Sequence, residues 1–249
     1  MEKNNTFIPE NNVELCGKIT NVFSNPKMTA FTVSCGYRGM KKNENGRYEW
    51  NSVTVVFYEK EGLYYASKFK KGDRVIVNCV AQTIRDHYNL SSYTAFWGLS
   101  MEEESGACIA RYDYNHVKLT GKITSASARE NGWVTAYILT RLEKERPDVQ
   151  NQGRMITDTY KSITPVRIYA GKNAAEKAVK EMLTKGTWVT LNGHVYGRFF
   201  DRDQENRRRR SKAEYIIAED IRVIGQVQGT ESADETLEEV PETETPVMD

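Results

Sequence analysis

The chain is poor in several patterns that would place it quickly. No apolar run approaches the ~20 residues that a membrane-spanning helix needs. The opening Met1-Glu2-Lys3-Asn4-Asn5 also lacks the basic-then-apolar order of a secretory signal. The expectation is a cytoplasmic protein with no membrane partner. The three histidines, His87, His116 and His194, are scattered, with no H-x-x-x-H or H-E-x-x-H spacing. There is no G-x-x-x-x-G-K-[ST] phosphate loop and no G-x-S-x-G nucleophile turn. Asp201-Arg202-Asp203 brings two carboxylates together, but its basic neighbours make it a loop of compensated charges rather than a metal site. These absences predict a protein that is not an enzyme and that takes no cofactor or metal. The four cysteines, Cys16, Cys35, Cys79 and Cys108, form no C-x-x-C pair, and three sit in apolar runs as buried, reduced thiols.

Positive charge is missing from one end only. Residues 226–249 contain no Lys or Arg but eight acidic residues, which leaves 35 basic against 26 acidic in 1–225, a net charge of +9 beneath the overall +1. A basic body joined to an acidic segment without aromatics predicts a folded part and a disordered C-terminal tail.

What the chain has is an internal echo. Val13-Glu14-Leu15-Cys16-Gly17-Lys18-Ile19-Thr20 recurs as Val117-Lys118-Leu119-Thr120-Gly121-Lys122-Ile123-Thr124. Further on, Lys71-Gly72-Asp73-Arg74-Val75-Ile76-Val77 returns as Lys185-Gly186-Thr187-Trp188-Val189-Thr190-Leu191. The order is kept, so a whole unit is duplicated. Two-residue alternation marks strands in copy one over Val13–Ile19, Thr29–Cys35, Val53–Tyr58, Asp73–Ile84 and Tyr93–Met101, with a short helix over 61–70. Copy two repeats the plan with strands over Val117–Ser125, Trp133–Leu142, Val166–Tyr169, Trp188–Phe199 and Tyr215–Val223. Its helix spans Asn173–Leu183, where Ala174, Ala178, Met182 and Leu183 fall at helical spacing and Gly186 follows. Arg38–Asn51 and Glu143–Ile163 read as long polar loops, the second one mobile.

Three strands, a helix and two strands is the order of the five-stranded OB barrel. The predicted class is therefore all-β with one short helix per domain: two tandem OB barrels plus the acidic tail. The predicted boundaries are 1–103 for the first barrel, 104–114 for a linker, 115–225 for the second barrel and 226–249 for the tail.

Aromatic and basic residues interleave on the strands and loops. Copy one offers Tyr37, Arg38, Lys41, Lys42, Arg47, Tyr48, Trp50, Phe57, Tyr58, Arg85 and Tyr88. Copy two offers Tyr160, Lys161, Arg167, Tyr169, Tyr196, Arg198, Phe199, Phe200, Arg202 and the run Arg207-Arg208-Arg209-Arg210, which falls in the loop between the fourth and fifth strands. Unpaired bases stack on flat rings while Lys and Arg neutralise the backbone, so this mixture predicts single-stranded nucleic acid as partner, with little sequence preference. Phe31, Trp97, Trp133 and Trp188 lie among apolar neighbours and read as core. Trp50, Phe57 and Tyr169 can face either way.

Several stretches resemble the bacterial and phage single-stranded-DNA-binding (SSB) family. They are Asn12–Ile19 with its echo His116–Ile123, Trp50 ahead of Val53–Phe57, Lys185–Val189, Gly197–Asp201 and Glu214–Ile221. The resemblance implies binding that coats and protects exposed DNA in replication, recombination or repair, in a bacterial or phage-infected cell. By position it implies stacking on Tyr37, Trp50, Phe57 and Tyr88 in copy one and on Tyr169 and Phe200 in copy two. Copy two has no tryptophan before its third strand, and Tyr160 stands nearest that place. The family's acidic tail recruits replication and repair proteins through a terminal aromatic, whereas this chain ends Pro246-Val247-Met248-Asp249. Two barrels per chain would let a homodimer present four. Two other readings stay open: a tandem-OB protein-interaction module of a phage or mobile-element replisome, and a single-stranded RNA binder.

Overall fold

A computed structural model describes residues 7–36, 46, 50–86, 91–104, 113–147, 155–201 and 210–225. They form β1 (Glu10–Ser24), β2 (Met28–Cys35), β3 (Asn51–Tyr58), α1 (Glu59–Lys68), β4 (Arg74–Asp86) and β5 (Ser91–Glu103). After these come β6 (Tyr114–Ala128), β7 (Trp133–Pro147), β8 (Met155–Tyr169), α2 (Ala175–Glu181), β9 (Trp188–Asp201) and β10 (Arg210–Gly225). The predicted disordered tail, 226–249, lies outside the described residues.

Hydrogen bonding links the strands in the order β2-β3-β5-β4-β1-β6-β7-β8-β10-β9, and two further pairings, β1–β2 and β6–β9, close the sheet on itself twice. Each closure makes a five-stranded barrel in which the third and fifth strands run parallel, β3 with β5 and β8 with β10. The helix falls between strands three and four in both. This is the tandem OB architecture that the strand order predicted. Alternation builds each core: Val13, Leu15, Phe31, Val33, Val55 and Phe96 point into the first barrel, and Val117, Leu119, Ile138, Val166, Leu191 and Ile216 into the second. Each such side chain contributes about 1.5–3 kcal/mol by leaving water.

The two echoes of the repeat meet face to face. β1 and β6 pair antiparallel from Glu10↔Thr120 to Cys16↔Tyr114, with Val13 opposite Val117 at the centre. Because Val13 and Val117 are the same position in the repeat, an approximate two-fold axis passes between them. Asn11 and Asn115, again equivalent, extend the ladder with their side chains. The Asn11 amide donates to the Ala81 carbonyl (2.8 Å) while Ala81 N–H donates back to Oδ1 (2.9 Å). Asn115 does the same with Val195, at 2.7 and 2.8 Å. Ser162 and Thr164 of β8 also donate to the Ala81 carbonyl (both 3.4 Å), which seats the β7–β8 ribbon on the first barrel.

After Cys16 the edge of β1 that held β6 turns to β2, beginning at Gly17↔Cys35. Only glycine fits this crossing, because a Cβ on Gly17 would lie 2.1 Å from the Ser34 carbonyl oxygen. Its counterpart Gly121 meets the Leu139 carbonyl at 2.2 Å. Arg74 ties the two ends of the segment between β5 and β6 by pairing with Glu104 (2.6 Å) and with Asp113. Those hydrogen-bonded carboxylates hold its guanidinium firmly protonated, while burial and the nearby Glu104 push the Cys16 thiol up to about 11.

The reading of Glu143–Ile163 as an irregular loop is wrong. β7 and β8 continue their ladder from Trp133↔Tyr169 out to Pro147↔Met155. The sequence there, Leu142-Glu143-Lys144-Glu145-Arg146 and Met155-Ile156-Thr157-Asp158-Thr159, carries no sustained apolar alternation, so the signal that betrays a strand is absent. α2 is also shorter than the predicted 173–183.

Candidate nucleic-acid interface

Barrel closure decides which rings reach the surface. Inward positions on β3 are Asn51, Val53, Val55 and Phe57, while Trp50, Ser52, Thr54, Val56 and Tyr58 point outward. On β8 the inward set is Ser162, Thr164, Val166 and Ile168, and the outward set Lys161, Ile163, Pro165, Arg167 and Tyr169. The registers align the two strands. Val55 faces Phe31 and Val166 faces Ala136 at matching places in the barrels, so Phe57 corresponds to Ile168 and Tyr58 to Tyr169.

One predicted stacking residue is thereby corrected. Phe57 is 0% exposed, tilted against Tyr65 (4.6 Å) and edge-on to Phe31 (6.0 Å). It belongs to the core, and its neighbour Tyr58 is the residue that faces out. Likewise Trp97 and Trp133, read as core, are half-buried on the outer faces. Each follows or precedes a residue that points inward, Phe96 and Val134, so strand parity was the signal available; ring size and apolar neighbours pointed the other way. Trp188 is half-buried as well, covered by Phe7 at 5.6 Å.

On the first barrel the outward rings are Trp50 (47% exposed), Tyr58, Tyr93 and Trp97. Tyr58 meets Trp97 edge-on at 5.4 Å. Burial, and secondarily Tyr93, raise the Tyr58 hydroxyl pKa, so the ring stays neutral.

The second barrel carries a broader face. β7 supplies Trp133, Tyr137 and Arg141; β8 supplies Lys161, Arg167 and Tyr169; β10 supplies Tyr215 and β9 Tyr196. Tyr169, 61% exposed, leans on Trp133 at 5.3 Å. Arg141 and Lys161 stand directly opposite each other on the ribbon, which sets two positive charges side by side where an anion is favoured. The Arg141 guanidinium donates to the Thr159 hydroxyl at 3.1 Å. Arg167 lies 3.7 Å over the Tyr215 ring, and Tyr215 stacks on Tyr196 at 4.8 Å.

Of the predicted site, the structure gathers Lys161, Arg167, Tyr169 and Tyr196 on one face of the second barrel and places Trp50 on the first. Tyr58, offered by the sequence beside Phe57, faces out on the first barrel, and Tyr93, Trp97, Trp133, Tyr137, Arg141 and Tyr215 join these faces without having been singled out as binding residues. Tyr37, Arg38, Lys41, Lys42, Arg47, Tyr48, Tyr88, Arg202, Arg207, Arg208 and Arg209 lie outside the described residues. The same holds for the side chains of Arg85, Tyr160, Arg198, Phe199, Phe200 and Arg210. Among the described residues no cluster of three or more His, Cys, Asp or Glu side chains could hold a metal ion. A groove of about 430 Å³ beside α1 is lined by Tyr64, Tyr65, Lys68, Phe69, Met101, Glu102 and Glu103.

By sequence, no family model matches the chain, and no curated relative is found. By structure it is similar to the wild-type single-stranded DNA binding protein from Thermus aquaticus. That match has 14% identity and a TM-score of 0.58, and it covers 92% of this chain and 98% of that one. A deletion variant of the same Thermus aquaticus protein matches with the same identity and score, over 90% and 99%. At this identity the likeness is one of architecture, and it extends over both barrels: the chain has the tandem OB fold.

Proposed function

We propose that this protein binds single-stranded DNA with little sequence preference, by stacking unpaired bases on the outward rings of both barrels and neutralising phosphates with strand and loop cations. The observation that carries the reading is the second barrel's outer face. There Tyr169, Trp133, Tyr137, Tyr215 and Tyr196 share one surface with Arg141, Lys161 and Arg167. A double helix hides the flat sides of its bases; an unpaired strand exposes them, and each ring that receives one adds about 1–3 kcal/mol. The Thermus aquaticus protein of the same architecture is a single-stranded DNA binding protein by name, which supports the reading.

In this role the protein coats exposed strands and keeps them open during replication, recombination or repair, without chemistry of its own. The acidic residues 226–249 would offer partner proteins a charged segment, and two chains would together present four barrels. The test is a titration with poly(dT), following tryptophan emission at two salt concentrations. Binding should quench emission and weaken steeply as salt rises, since each neutralised phosphate releases counterions. Binding to duplex as tight as to poly(dT), or a flat salt response, would refute the proposal. Competition between dT and rU oligomers separates DNA from RNA as the preferred strand.

A further inference from the structure

The column Arg167–Tyr215–Tyr196 has no equivalent in the first barrel. Matching registers put Val56 where Arg167 stands, Ala95 where Tyr215 stands and Gln82 where Tyr196 stands. The repeat thus supplies the backbone positions twice, but the stack once. Its geometry is specific. Tyr196 and Tyr215 pair at 25° between planes and 4.8 Å between centres, and the Arg167 guanidinium carbon sits 3.7 Å from the centre of the next ring. At that separation the flat guanidinium lies on the tyrosine face, held by cation–π attraction. Among the described residues no carboxylate or carbonyl binds it. The described partner of this guanidinium is the Tyr215 ring.

Resting on the reading of single-stranded DNA binding, we propose that Arg167 is a stacking residue rather than a phosphate clamp. An unpaired base lies on the face of its guanidinium opposite Tyr215, extending the column by one layer. The in-plane N–H groups point sideways from the stack, where the phosphates flanking that base can accept them. The second barrel therefore presents a cationic plane to DNA, while the first barrel presents neutral rings at Tyr58 and Trp97. A lysine cannot replace this arginine, because an ammonium keeps the charge but has no plane for a base to lie on and no fork of donors.

The experiment compares the full-length protein with Arg167→Lys, Arg167→Ala and Tyr215→Leu in binding dT oligomers at low and high salt, with thermal unfolding to confirm that each variant folds. Arg167→Lys and Arg167→Ala should weaken binding alike, by roughly fivefold or more, the lower end of one lost stacking layer. Tyr215→Leu should weaken it too, because the guanidinium loses its support. If Arg167→Lys binds as the unaltered protein does, a point charge suffices and the inference is overturned; it is overturned equally if none of the three variants loses affinity. Absence of binding by the unaltered protein would instead refute the underlying function.

Discussion

Replacing Phe57 and Tyr58 separately by alanine tests the two faces of β3 against each other. Phe57 is fully buried, 4.6 Å from Tyr65 and 6.0 Å from Phe31. Its ring also passes so close over Gly98 that a Cβ there would lie 2.3 Å from it. A side chain packed on every side leaves a hole that its neighbours fill only in part. Phe57→Ala therefore loses both the transfer energy and the cavity term, about 3–5 kcal/mol. Set against the ~5–15 kcal/mol that holds an ordinary domain together, that is a large share. Tyr58→Ala removes an outward ring whose described ring contact is the edge-on pair with Trp97, a loss on the order of 1 kcal/mol. Its effect should instead fall on DNA affinity, by about fivefold or more. Urea unfolding of both variants, alongside poly(dT) titration, reads the two quantities independently. The reasoning fails if Phe57→Ala keeps its unfolding midpoint and loses affinity, or if Tyr58→Ala unfolds as readily as Phe57→Ala.

Asn115→Ala should cost about 2–4 kcal/mol in a urea melt, because it removes two hydrogen bonds and strands the buried N–H and C=O of Val195; an unchanged midpoint would contradict the ladder-extending role. Gly17→Ala should open the β1–β2 pairing and destabilise by at least about 1–3 kcal/mol, since its Cβ cannot share space with the Ser34 carbonyl; a variant as stable as the parent would disprove the close crossing. His194 is buried, which lowers its pKa below the usual 6.5 even though Glu219 pulls the other way at 2.8 Å. The folded state thus favours the neutral ring. Its contribution is complete above pH ~6.5 and is lost as pH falls from there through the lower folded value. His194→Gln should flatten the pH dependence of stability over that window, and an unaltered profile would show that another group titrates.

Much of the architecture is legible in the residues because each barrel has one buried face. Val13, Leu15 and Ile19 alternate with Glu14 and Lys18, and the echo at Val117 repeats the pattern, so both strand identity and duplication can be read directly. The outer ends of β7 and β8 are illegible for the opposite reason. There the residues show no apolar alternation, and the backbone pairing that runs out to Pro147↔Met155 leaves no mark on side-chain order. The ring-bearing outer faces fall between these cases. Rings on β3, β5 and β7 are apolar whether they point in or out, so composition finds them but cannot orient them. Phe57 and Tyr58 are adjacent and chemically alike; only the pairing of β3 with β2 and β5 sends one to the core and the other to the surface. The pairing of Arg167 with Tyr215 joins residues 48 apart in the chain through the parallel contact of β8 with β10, and no local pattern announces it.

Ultraviolet cross-linking of the full chain to bound oligo(dT), with the attached residues located by mass spectrometry, reads most directly where unpaired bases lie. Adducts should map to outward rings, Tyr169, Trp133 and Tyr215 on the second barrel and Trp50, Tyr58 and Trp97 on the first. Adducts confined to α1, α2 or the segment between the barrels, with those rings unmodified, would contradict the account.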